Sequence, residues 1–169
     1  QRRDALIAMR RDFHMYPEPA WLEYRSAAKV ADRLISLGYD VALGADVLDL
    51  DSRMGLPSDE VMKAAMDRAI KEGANPELVE KMGYGKTAIV ATMKFGGEGP
   101  VVAFRVDMDS NDVIETKEDN HVPTKKGFRS CHDKAMHACG HDAHMTMGLG
   151  LAEYLAAHKD EFKGTIKLI

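Results

Sequence analysis

The spacing of apolar residues along the chain switches between three or four positions and two positions. The first spacing predicts amphipathic helices and the second predicts half-buried strands. We expect helices over residues 2–16, 23–37, 58–72 and 75–82, and a longer helix from just after His144 to about Phe162. We expect strands over residues 39–43, 87–95, 101–106 and 165–169. Strands interspersed with helices in this way indicate an α/β fold.

The turns and loops between these elements set further expectations. Residues 101–106 form a nearly continuous apolar run, which is typical of a strand buried on both faces. Five residues separate this run from the strand over 87–95, which favours an antiparallel pair of these two strands within a mixed sheet. Residues 44–57 and 110–135 have no clear periodicity, so we expect loops there, with the charges of 110–135 in solvent.

Composition limits the classes of function. The chain has 169 residues, 45% hydrophobic and 30% charged, which suffices for one domain with a core. Its net charge of −4 includes no basic cluster suited to nucleic acid, and no apolar run is long enough to span a bilayer. The first residues do not resemble a secretory signal peptide. The two cysteines, Cys131 and Cys139, fit a reduced cytoplasmic protein better than a disulfide.

The densest chemistry lies in residues 136–144, Met-His-Ala-Cys-Gly-His-Asp-Ala-His. Thiolate and imidazole are ligands of zinc, and carboxylate suits harder ions such as manganese. Cys139 and His141 would point the same way in an extended or turned backbone, and Gly140 permits a tight turn between them. Asp142 is placed to orient a ligating imidazole. The segment therefore predicts a metal site.

A pair of carboxylates follows the apolar strand over 101–106. Asp107 and Asp109 come at its carboxyl end, where α/β sheets keep their functional sites. A solvated turn is the alternative interpretation. His14 and Glu18 are expected to be structural, and His121 and His132 are not expected to be ligands.

Residues 136–144 resemble the His-Ala-Cys-Gly-His-Asp motif of the M20 family of metallopeptidases and amidohydrolases. The resemblance implies a three-layer α/β/α zinc-peptidase-like catalytic domain with a mixed sheet, truncated here after its first half and without the dimerisation domain. It also implies two divalent metal ions, zinc or manganese, with Cys139 and His141 as ligands. The same resemblance places four more residues at the metals or directly behind their ligands: Asp107, Asp109, Asp142 and His144.

The family includes hydrolases of hippurate, indole-acetyl-amino acids and p-aminobenzoyl-glutamate. Residues 44–85 look like a helical insertion that resembles the A-type polypeptide of the p-aminobenzoyl-glutamate hydrolase branch. We therefore expect hydrolysis of an N-acyl or N-aroyl amino acid, with p-aminobenzoyl-glutamate favoured and hippurate as the alternative. The resemblance implies a homodimer or a heteromer with a related subunit. It places the general-base Glu beyond Ile169, so these residues alone are expected to be inactive.

A non-catalytic interpretation stays open at this point. If residues 136–147 formed one continuous helix, His137, His141 and His144 would share one face. Together with Cys139 or Cys131 they could form a structural zinc site in a small binding module. Gly140 in the middle of such a helix argues against this interpretation.

Overall fold

The protein, described here from a computed structural model of residues 2–169, combines a four-stranded sheet with six helices in that range. The strands are β1 (Asp40–Leu43), β2 (Ile89–Lys94), β3 (Val101–Phe104) and β4 (Thr165–Leu168). The helices are α1 (Arg2–Met15), α2 (Tyr24–Ser36), α3 (Asp59–Lys71), α4 (Pro76–Met82), α5 (Val122–Lys125) and α6 (His141–Ala157). The predicted α/β class is confirmed.

The sheet is mixed, as expected, but its order differs from the prediction. The strands lie in the order β1-β2-β4-β3. β2 pairs antiparallel with both β1 and β4, whereas β3 pairs parallel with β4, Val101 opposite Thr165 and Phe104 opposite Leu168. The predicted antiparallel pair of β2 and β3 is therefore wrong, because β4 lies between them.

The short connection between β2 and β3 explains how this order arises. Stepping across one intervening strand requires about 10 Å, two strand spacings. Five residues can reach about 16 Å, so residues 96–100 are long enough to cross the start of β4. At the crossing, the backbone N–H of Phe95 donates to Gly164 O at 2.8 Å, and that of Thr165 donates to Pro100 O at 2.9 Å.

The prediction that the strand after this turn is buried on both faces is also wrong. Val101 is 67% exposed and Phe104 is 42% exposed. Within residues 2–169, β3 is an edge strand of the sheet and its apolar side chains are only partly covered. A continuous apolar run shows that a strand has two apolar faces, but it does not show which other segment covers them.

Local capping signals set several helix boundaries. Ser58 Oγ accepts from the Val61 N–H at the start of α3, and Asn75 Oδ1 accepts from the Glu77 N–H at the start of α4. These two helices confirm the predictions for 58–72 and 75–82, and they pack against α2 and each other. Whether residues 44–85 form an insertion stays a prediction.

The last helix starts earlier and ends earlier than expected. It begins at His141, directly after Gly140, whose φ of +109° stops any helix from continuing through it. It ends at Ala157 and is followed by a short 3₁₀ turn, Lys159–Glu161. The early start matters for function, because it places two histidines of the motif on the first helical turn.

The core forms where α1, α2 and α6 pack together and against the sheet. Its largest fully buried apolar side chains include Phe13, Tyr24, Leu34 and Met145. Burying side chains of this size contributes about 1.5–3 kcal/mol each, so this core fixes α6 relative to α1. None of the helices within residues 2–169 is long and apolar enough to cross a membrane.

Candidate metal centre

Three metal-binding side chains converge at the start of α6. His141 and His144 lie three residues apart on its first turn, which puts them on one face, with ring centroids 5.1 Å apart. Asp107 reaches the same place from the segment after β3, and one donor atom of each residue lies within 4.8 Å of the others. The structure thus brings together the carboxylate after β3 and two imidazoles of the motif, as the sequence predicted.

The donor set fits a divalent metal ion. Imidazole nitrogen and carboxylate oxygen are ligands for both zinc and manganese. Asp107 Oδ2 lies 3.7 Å from His144 Nδ1, while its Oδ1 is held at 2.7 Å by Arg105, a largely exposed side chain. The arrangement leaves one Asp107 oxygen facing the histidines, where a cation would be bound.

Asp109 orients the His141 ring. His141 Nδ1 lies 2.8 Å from the Asp109 backbone oxygen and 3.1 Å from Asp109 Oδ1. Both neighbours are acceptors, so Nδ1 carries the proton and Nε2 keeps its lone pair. A histidine held in this way by a carboxylate or carbonyl is typical of metal ligands. Asp109 is therefore placed as the support of a ligand.

Cys139 lies apart from these three donors. Its side chain is exposed, and its backbone N–H donates to Asn111 Oδ1 at 3.1 Å. Within residues 2–169, the cluster that contains His141 consists of Asp107, His141 and His144 and does not include the Cys139 thiol. The role of Cys139 as a ligand stays a prediction. Neither cysteine forms a disulfide, as expected.

Asp142 does not orient any of these histidines, so that prediction is wrong. It is fully buried, and its Oδ2 lies 2.8 Å from His14 Nδ1 and 2.9 Å from Arg10 Nε, both on α1. Successive helical residues point about 100° apart, so the residue after His141 faces α1 while His141 faces the cluster. Asp142 therefore fixes the start of α6 to α1.

A second carboxylate, Glu115, completes this buried network. His14 Nε2 lies 3.0 Å and His121 Nε2 lies 2.7 Å from Glu115 Oε1, and the Ser130 N–H donates to Oε2. The expectation that charges in 110–135 are solvated is wrong for Glu115, which is 1% exposed. The sequence carried no clear signal, because Glu115 lies in an irregular segment and its partners are distant in sequence.

The network changes the protonation of its members. Burial alone would lower the pKa of His14, but its hydrogen bonds to Asp142 and Glu115 outweigh that effect and raise the pKa. Burial would raise the pKa of Asp142, yet His14 and Arg10 bring it below its usual value. The pKa of Glu115 is lowered in the same way, against burial, by His14 and His121. His14 is therefore a cation held between two carboxylates.

His137 takes no part in the cluster. It is 4% exposed, and neither ring nitrogen has a hydrogen-bond partner among the described residues. Burial lowers the pKa of His137 to about 4 despite the opposing charge of Asp142, so the ring is neutral. Residues 136–140 are not helical, so His137, His141 and His144 do not share one helix face. This contradicts the geometry that the non-catalytic zinc module required.

Comparison with known sequences places this site in a family. The profile of peptidase family M20/M25/M40 matches residues 103–169, which include Asp107 and the motif. An indole-3-acetyl-aspartic acid hydrolase from Enterobacter agglomerans is 48% identical over 95% of this chain and 37% of its own length. One of the polypeptides of p-aminobenzoyl-glutamate hydrolase from Escherichia coli K12 is 47% identical over the same shares. The chain thus spans little more than a third of the length of these relatives.

Solved structures agree with the sequence comparison. An aminobenzoyl-glutamate utilization protein from Klebsiella pneumoniae superposes with a TM-score of 0.79 at 40% identity, covering 98% of this chain and 35% of that one. The Bacillus subtilis YXEP protein, described as a dinuclear metal-binding peptidase of family M20, gives a TM-score of 0.63 at 28% identity. It covers 98% of this chain and 34% of that one. The expected family is therefore confirmed: this chain belongs to the M20 peptidase family.

Proposed function

We propose that the protein is a metal-dependent hydrolase of an amide bond between an aromatic acyl group and an acidic amino acid. The observation that supports this most directly is the cluster of Asp107, His141 and His144, in which Asp109 orients one histidine. Two relatives add the substrate class. One is named for indole-3-acetyl-aspartic acid and the other for p-aminobenzoyl-glutamate, and both compounds join an aromatic acid to a dicarboxylic amino acid.

The residues of this chain would hold the metal and keep it in place. A bound divalent ion, one of two in this proposal, supplies Lewis acidity and lowers the pKa of a coordinated water. Asp107, His141 and His144 present their donor atoms to a common point. Asp109 keeps the proton of His141 on Nδ1, so that Nε2 is free to bind. Zinc and manganese both suit these ligands.

The proposed activity is tested with the intact protein that carries this chain. Release of p-aminobenzoate from p-aminobenzoyl-glutamate and of indole-3-acetate from indole-3-acetyl-aspartate would be followed after addition of zinc or manganese. We expect hydrolysis of at least one substrate and its loss on treatment with EDTA. His141→Ala should lower the rate more than about 10²-fold, because it removes a ligand that the metal depends on. His158→Ala is the matched control, since His158 is exposed and contacts only Glu161 and Tyr154 among the described residues.

Two further results decide the details. Cys139→Ala tests the thiol separately, and a loss as large as that of His141→Ala would make Cys139 a ligand. Hippurate carries glycine in place of the acidic amino acid, so a preference for hippurate would contradict the acidic specificity. Absence of metal-dependent hydrolysis of all three compounds would overturn the proposed function.

Assembly and location form a separate part of the proposal. The Escherichia coli relative is named as one subunit of its enzyme, so we propose that the intact protein works as a homodimer or with a related polypeptide in the cytoplasm. Light scattering of the intact protein, alone and co-purified with its co-expressed partner, would give the mass. A monomer that is fully active by itself would contradict this part.

A further inference from the structure

A second group of metal-binding side chains lies away from Asp107, His141 and His144. It consists of Glu72 at the carboxyl end of α3 with Cys131 and His132 in the segment that leads into the motif. One donor atom from each of the three residues lies within 4.8 Å of the others. Cys131 is exposed, and a surface depression lined by Leu22 and Arg68 opens onto Cys131 and His132. An ion from solvent could reach this group directly.

The geometry of His132 is that of a metal ligand. Its Nδ1 lies 2.7 Å from the backbone oxygen of Pro17, so Nδ1–H donates to that carbonyl. The ring is thereby fixed, and Nε2 faces Glu72 Oε1 at 2.8 Å. A neutral imidazole would then turn a lone pair towards a carboxylate oxygen. A cation placed between Nε2 and Glu72 removes this conflict, as does a second proton on the ring.

The charges around the group also favour a divalent cation. A Cys131 thiolate and the Glu72 carboxylate would together balance two positive charges. Glu72 Oε2 is buried and has no hydrogen-bond partner among the described residues, so one carboxylate oxygen is unused. Burial and the charge of Glu72 raise the pKa of the Cys131 thiol, against the effect of Arg25 and Arg68. A bound cation would reverse this by stabilising the thiolate.

We propose that Glu72, Cys131 and His132 form a zinc site separate from the candidate catalytic centre, with water as the fourth ligand. The combination of thiolate, imidazole and carboxylate is suited to zinc, which binds such sets with tetrahedral geometry. The ion would join three segments: the end of α3, the turn at Pro17 through His132, and the segment that leads into the motif. Binding would therefore stabilise the region behind the catalytic metal centre. This inference does not depend on the proposed function.

The test uses cobalt as a spectroscopic substitute for zinc in the intact protein. Cys139→Ser is the background, because Cys131 is then the sole thiol among these 169 residues. We expect added cobalt to give a thiolate-to-cobalt charge-transfer band in the near ultraviolet that zinc abolishes by displacement. We expect the band to disappear in Cys139→Ser/Cys131→Ser. Zinc stoichiometry by competition with a chromophoric chelator should fall by one ion per chain in the same comparison.

Two controls separate metal binding from folding. Far-UV circular dichroism in EDTA should be the same for Cys131→Ser and the background, because Cys131 is exposed and the change is nearly isosteric. If that variant fails to fold, His132→Gln in the Cys139→Ser background serves instead, and it should lose the cobalt band as well. A background protein without the band, or a band that survives removal of Cys131 or His132, would overturn the proposal. The pair of His132 and Glu72 would then be an ordinary ion pair with a protonated ring.

Discussion

His14 Nδ1 lies 2.8 Å from Asp142 Oδ2, and this contact joins the last turn of α1 to the first turn of α6 across 128 residues. Both side chains are buried, and the other ring nitrogen of His14 faces Glu115. Asp142 directly follows His141, so the position of a candidate metal ligand depends on a charged contact on the opposite side of the helix. The network therefore links the core to the candidate metal centre.

Loss of His14 should be costly and pH-dependent. We expect His14→Gln to lower the free energy of unfolding by about 3 kcal/mol near neutral pH, because it leaves two buried carboxylates without their cation. The folded-state pKa of His14 is raised above 6.5, so its contribution is complete below that value and is lost as pH rises through the folded pKa. The difference between the two proteins should therefore shrink on the alkaline side.

Urea unfolding of both proteins at about pH 6 and about pH 9 measures this effect. His158→Gln is the control, because His158 is exposed and pairs with the exposed Glu161. Its effect should be within about 0.5 kcal/mol. A destabilisation by His14→Gln that is equal at the two pH values would show that His14 contributes packing and not charge. On the acidic side, stability should fall as the lowered pKa values of Asp142 and Glu115 are reached.

Glu18 should stabilise the start of α2. It is fully buried, and its two carboxylate oxygens accept from the backbone N–H groups of Arg25 and Ser26 at 2.9 and 2.8 Å. Glu18→Ala leaves two buried donors unpaired, so we expect a loss of about 2–4 kcal/mol in the free energy of unfolding. Glu98→Ala, at an exposed turn position, should change it by less than about 0.5 kcal/mol. Equal denaturation midpoints for the two variants would contradict this role.

The sequence predicts those features that depend on neighbouring residues. Ser58 and Asn75 mark helix starts because their side chains bond to backbone groups two or three residues away. The metal-binding character of residues 136–144 was also recognisable, because several donors lie within one short segment. His141, His144 and Asp107 do meet in the structure.

Features that depend on distant segments could not be predicted in this way. The place of β4 between β2 and β3 is set by pairing across more than 60 residues, which leaves no local pattern. The same holds for Asp142, whose partner His14 lies on another helix. The carboxylate was expected to face the metal, since its neighbours in sequence do, but the helix that begins at His141 turns it towards α1.

Asp109 should affect metal binding without being a ligand itself. Asp109→Ala removes the carboxylate that faces His141 Nδ1 while the backbone oxygen of residue 109 stays in place. Loss of such a supporting partner lowers metal affinity about 10- to 100-fold. Calorimetric titration with manganese would measure this, and Asp119→Ala, at an exposed position, is the control of equal charge. Unchanged affinity in Asp109→Ala would mean that the backbone oxygen alone orients the ring.

Gly140 should be needed for the turn that starts α6. Its φ is +109°, a conformation that side chains rarely adopt, although no atom lies within 4 Å of the position that a Cβ would take. Gly140→Ala therefore introduces backbone strain without a steric clash, and we expect a loss of about 1–3 kcal/mol in the free energy of unfolding. Relaxation of the strain would shift His141, so metal affinity should fall as well.

Gly96→Ala separates strain from the loss of a glycine. Gly96 also has no atom within 4 Å of a Cβ, but its φ is not in the left-handed region. This variant should be neutral or slightly more stable, because alanine restricts the unfolded chain. Urea denaturation and manganese titration of the two variants give both quantities. If Gly140→Ala matched Gly96→Ala in stability and in affinity, the turn would tolerate a side chain, and the position of His141 would depend on Asp109 and Asp142 alone.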